Sequence, residues 1–159
     1  MANSLVQALI AHWDSVFEGP NGDYPAVLES LMGLTAEQAA WKPAPDSNSI
    51  WQIVDHVTDS KVWQIEMLEH GKAASPVWTQ PAGTESDWQA AVTRLKDAHT
   101  RLKVTLGQVS EEELLTVPVP ELRQTQLELL LSLAAHEAHH DGQIDYLRGL
   151  LARAAKPIS

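Results

Sequence analysis

The chain has 159 residues, 21 acidic against 11 basic, for a formal net charge of −10, with seven histidines and no cysteine. Its length fits one domain spanning residues 1–159, and 44% apolar residues argue for a packed core rather than disorder. The missing cysteine excludes disulfides, thiolate metal sites and a cysteine nucleophile, and the acidic balance argues against a nucleic-acid partner.

Helix starts recur along the chain, whereas no segment alternates apolar and polar residues over a strand's length. In a capping box a Ser or Thr and a Glu or Gln three residues later satisfy each other's free backbone N–H. Ser4–Gln7, Thr35–Gln38, Ser49–Gln52, Ser110–Glu113 and Thr125–Glu128 have this form, and Thr84–Asp87 is a weaker version. The first long helix is expected from about Leu5 to Glu18, ended by Gly19-Pro20-Asn21-Gly22, with a shorter piece over Tyr24 to Met32. The second follows Ser49 and runs to His70, where Gly71 stops it. The third covers Glu85 to Leu106, and the fourth Gln126 to Ala154. Pro-containing linkers at 42–48, 72–83 and 109–124 join them, the last two long enough to cover one end of a bundle. Four such helices predict an all-α four-helix bundle with short extra helical turns in its linkers. No stretch is apolar enough to span a bilayer, no basic segment precedes the first apolar run, and the absence of cysteine fits a cytoplasmic location.

The histidines carry the chemistry. On the fourth helix Leu129, Leu133, His136, His140, Ile144, Leu147 and Leu151 recur at steps of three and four, which puts all of them on one face. His136 and His140 are one turn apart and point inward together, where bare imidazoles cost desolvation. Hydrogen-bonded core histidines are one reading; a divalent metal bridging the i,i+4 pair is the other. On the second helix Ile53, His56, Ser60, Trp63 and Met67 form a similar stripe, and His56 would stand level with the pair if the two helices are antiparallel. His12 shares a face with Ala8 and Val16 and is a possible pocket residue; His139 flanks the fourth-helix stripe, His70 marks a helix end and His99 a surface flank.

His136-Glu137-Ala138-His139-His140 also matches the zinc-protease pattern H-E-x-x-H, with Glu137 as candidate base. No Glu follows residue 137, and Tyr146 stands where the extended pattern needs its third His, so a protease does not follow. A di-iron bundle site would need a second E-x-x-H, which is absent.

The segment 49–56, ending in Asp55-His56, followed some eighty residues later by 136–143, resembles the DinB-like/YfiT-like superfamily, as does Leu34 to Pro43. The resemblance implies an up-down-down-up four-helix bundle and one divalent metal, nickel or zinc, held by His56, His136 and His140. It implies no DNA polymerase activity. It also points to a metal-dependent thiol S-transferase with a low-molecular-weight thiol cosubstrate, a small-molecule substrate and a homodimer. A hydrolase using water, or a non-catalytic metal- or ligand-binding bundle, are the alternatives. In such a site His139 and Glu137 are candidate proton shuttles, Gln143 could orient a ligand, and Trp51 and Trp63 could wall the pocket. Asp141 stands where relatives often carry a basic residue, a change expected to alter the pocket rim. Leu127, Leu130, Leu131 and Ala138 lie off the site face and are free to meet another helix or a second subunit.

Overall fold

The structure is a computed structural model that describes residues 4–20, 22 and 24–154. Among them there is no strand. Four long helices, α1 (Ser4–Phe17), α4 (Ile50–His70), α5 (Glu85–Leu106) and α7 (Gln126–Ala154), form the bundle. Short helices α2 (Val27–Leu31), α3 (Ala36–Ala40) and α6 (Glu111–Leu114), with a 3₁₀ turn at Pro120–Leu122, occupy the linkers. No helix among the described residues is long and apolar enough to cross a membrane.

The local capping chemistry sets these boundaries. Thr35, Ser49, Thr84 and Ser110 each accept from the backbone N–H three residues on, and the partner side chain returns the bond. The Thr125 N–H likewise donates to Glu128 at 2.7 Å. The Ser4 side chain, on which its box depends, and Asn21 lie outside what is described. Gly71, at φ 65°, ends α4 in the left-handed conformation that glycine adopts without strain. The piece expected over Tyr24 to Met32 is shorter, because Pro25 disfavours helical geometry at Tyr24 and the helix starts only after Ala26.

Side-chain pairs fix the helix directions. From Asp55–Arg94 through Lys61–His99 to Glu69–Arg101, α4 and α5 advance together and are parallel. From His56–His136 through Lys61–Glu137 to Gln64–Gln126, α4 and α7 run in opposite directions. Val6 and Leu9 of α1 share one core cluster with Leu106 of α5 and Leu130 of α7. Phe17, at the other end of α1, shares the second with Leu95 and Ile144. So α1 is parallel to α7 and antiparallel to α5, which is the up-down-down-up order.

A parallel α4–α5 pair requires the chain to travel back along the bundle. The fourteen residues between His70 and Glu85 do so, which an extended segment manages, since α4 is about 32 Å long. The linker therefore runs along the bundle instead of covering an end, and it crosses the histidines.

Of the residues expected to meet another helix or a second subunit, Leu130 is buried against other helices of the bundle. Between the two apolar clusters lies a buried polar layer. Lys61 Nζ stands 2.6 Å from Glu137 Oε2 and 3.2 Å from His99 Nδ1, and over the faces of Trp13 and Phe17. His99 Nε2 meets Asp14 at 2.9 Å, and Asp14 accepts from Lys103 at 2.7 Å. His99 is buried and stacked on Phe17, not on a surface flank. Burial, with the Lys61 charge beside it, pushes its pKa down to about 4.

Candidate metal centre

Three imidazoles converge between α4 and α7. His136 Nε2 is 3.1 Å from His56 Nε2 and 3.0 Å from His140 Nε2. Two nitrogens bound to one ion at 2.0–2.1 Å stand about 2.9–3.4 Å apart in octahedral or tetrahedral geometry, so these spacings fit a shared ion. The antiparallel packing brings His56, near the start of α4, level with the middle of α7.

The tautomers point the same way. Gln143 Oε1 lies 2.7 Å from His140 Nδ1 and accepts its proton, which leaves the His140 Nε2 lone pair facing the other rings. The Nδ1 atoms of His56 and His136 are buried without a hydrogen-bond partner. Burial, together with the neighbouring histidines, pushes His136 down to about 4. Burial lowers His56 and His140 as well. With a lone pair on His140 Nε2, His136 Nε2 cannot both donate to it and accept from His56, so one of its two close approaches lacks a proton; a cation among the three atoms would satisfy both. His56, His136 and His140 together meet the distance requirement for a metal-holding group. Asp14, Glu18 and His99 form a second such group, but Lys103 already donates to Asp14 and Lys61 lies on the other side of His99.

The return linker completes the site. Trp78 stacks on His56 with ring centroids 4.1 Å apart and meets His140 edge-on at 5.9 Å. Gln52, the capping-box partner of Ser49, also donates to the Thr79 carbonyl at 2.8 Å and pins the linker beside Trp78. Trp78 was not singled out from sequence; the available signal was a tryptophan between two prolines in an otherwise small and polar linker.

A cavity of about 390 Å³ opens against His56 and His136, and Trp63 forms part of its wall. A second, of about 760 Å³, lies on the side of His139 and Gln143, whose side chains are 3.1 Å apart. His139 is exposed there.

Other expected site residues fall elsewhere. His12 is exposed, because Ala8 and His12 lie on the outer side of α1 while Trp13 and Val16 face inward. Trp51 is buried in the core against Trp88 at 5.4 Å and lines neither cavity. Glu137, one residue after His136, turns about 100° around the helix into the core, where Lys61 holds it. Asp141 is buried too, so it does not form the rim; burial, then the nearby Asp145, Glu137 and Glu29 charges, raise it to about 6, opposed by the polar Ser30 hydroxyl nearby, which itself donates to Asp145 at 2.9 Å.

The family model described as the DinB superfamily matches residues 23–144, about three quarters of the chain. No curated protein and no solved structure matches it.

Proposed function

This chain belongs to the DinB superfamily, and on that premise we propose that it is a metal-dependent enzyme built on one divalent ion, nickel or zinc, held by His56, His136 and His140. The carrying observation is the convergence of three Nε2 atoms, two of them 3.0 and 3.1 Å from the third, against an open cavity.

An ion so held supplies Lewis acidity that lowers the pKa of a thiol or water. The chain has no cysteine, so a reacting thiol enters as a cosubstrate. The favoured reaction joins the whole thiol to a small electrophile: a bond forms from its sulfur to the electrophilic carbon, the thiol proton is given up, and the electrophile's leaving group departs. His56, His136 and His140 bind; Gln143 holds the His140 tautomer; Trp78 fixes the His56 ring and keeps water from one side; Trp63 walls the substrate cavity. His139, exposed and beside Gln143, is the group placed to carry a proton to solvent. Glu137 has no part, since its carboxylate is engaged by Lys61.

Loss of monochlorobimane in the presence of a low-molecular-weight thiol tests this, in protein stripped of metal and reloaded with zinc or nickel. Thiol-dependent turnover is expected only in the reloaded protein and not in His136→Ala. No turnover with either ion would overturn the transferase reading and leave a hydrolase using water or a non-catalytic metal-binding bundle. Gln143→Leu is expected to weaken ion binding by about 10–100-fold, as loss of an orienting hydrogen bond to a ligand does, measured by calorimetry.

A further inference from the structure

The cavity against His56 and His136 says which ligands the site accepts. Its wall is apolar, formed by Trp63, Pro76, Leu129 and Leu133, with the hydroxyls of Ser60 and Ser132 as its polar groups apart from Ser75 and the two imidazoles. A second hollow of about 320 Å³ shares Trp63, Ser75 and Pro76 with it and is lined on its own side by Asp59 and Glu66. Among the described residues no Lys or Arg lines either space. On α5, Arg94 is engaged by Asp55 and Arg101 by Glu69.

A carboxylate on a ligand body packed against this wall would find no cationic partner on the lining. One that reached past Trp63 would also approach the Asp59 and Glu66 carboxylates, which carry the same sign. Burying an unpaired charge is costly, and like charges brought together add to the cost. An apolar body meets the opposite situation, because each contact with Trp63, Leu129 or Leu133 removes apolar surface from water. The volume is that of a small-molecule site.

We propose that the ligand seated beside the three histidines has an uncharged, apolar body of aryl or alkyl type, and that thiols carrying carboxylates on that body are selected against. The proposal deepens the metal-centre reading and, for thiol ligands, rests on it. Selection comes from what the walls lack as much as from what they offer: an ion at the histidines would attract any anionic head group, so only the body discriminates.

The test uses the zinc-loaded full chain and a matched pair, benzyl mercaptan and 4-(mercaptomethyl)benzoate, with binding read by calorimetry and by quenching of tryptophan fluorescence. The neutral thiol is expected to bind at least about tenfold more tightly, a modest share of the cost of a like-charge contact. Asp59→Asn with Glu66→Gln should narrow that ratio by improving the carboxylated ligand, while Trp63→Ala should weaken the neutral one. Equal or tighter binding of the carboxylated thiol, or a ratio that the Asp59/Glu66 variant leaves unmoved, overturns the proposal. Zinc binding is measured first on the same sample. If zinc does not bind, the metal reading falls by itself. The pair benzyl alcohol and 4-(hydroxymethyl)benzoate, without zinc, then decides the cavity's preference by the same criterion.

Discussion

Replacing Lys61 with methionine is expected to destabilise the protein by about 3–5 kcal/mol, the range found when one partner of a buried ion pair is removed. Lys61 is fully buried and Glu137 is 1% exposed, so the carboxylate left behind has no water to turn to. Its other oxygen, Oε1, already lacks a hydrogen-bond partner. Burial acts on both groups in the direction of neutrality, lowering Lys61 and raising Glu137, and their 2.6 Å contact opposes it. Methionine keeps most of the packing against Trp13 and Phe17, so the loss reports the charge rather than a cavity. Urea unfolding measures it. The double variant Lys61→Met, Glu137→Leu should recover most of the loss, because replacing both buried charges by apolar groups of similar volume is often neutral. A single-variant loss under about 1 kcal/mol, the scale of one ordinary hydrogen bond, would mean that the pair is not held as ions.

His136→Ala should raise the dissociation constant for zinc or nickel by more than about a hundredfold, exceeding the effect of losing an orienting group around a ligand. His136 is the central ring: its Nε2 makes both of the close approaches, to His56 and to His140. Calorimetry of stripped protein reads the effect directly. Thermal unfolding gives an independent check, since an ion at a hundred times its dissociation constant adds about 2.7 kcal/mol that the variant would lack. His12→Ala serves as the control, because His12 is exposed and away from the trio. Unchanged affinity in His136→Ala would move the metal off these residues.

These two predictions differ in how far the sequence prepared for them. His136 and His140 were legible as a pair, because their spacing on one helix is local and the flanking leucines show which face is inward. The Lys61–Glu137 pair was legible only in half. Ile50, Val54, Val57, Lys61 and Ile65 recur at steps of four, three, four and four, and all five are buried. That stripe places a lysine in the core, next to the stripe through His56 and Trp63 that carries the metal-ligand candidate. Glu137 was read from its motif as a catalytic base. A motif records neighbours along the chain, whereas the partner that occupies this carboxylate lies 76 residues away. His99 was misplaced for the same reason: Asp14 and Lys61, which receive it, belong to other helices.

By itself the sequence determined the bounds of the four long helices to within a residue, the all-helical class and the two histidines on one helical face. Capping boxes, glycine stops and 3.6-residue periodicity are interactions within a few residues, so they are written locally. Only the tertiary structure decided that α4 runs against α7 and with α5, and three features follow from that. Antiparallel packing brings His56 level with His136 and His140. Parallel packing with α5 forces a return linker, which lays Trp78 over the histidines. The same register joins Lys61 to Glu137 and withdraws that carboxylate from the site. Each depends on contacts between distant segments, where packing of whole helix faces outweighs any local preference.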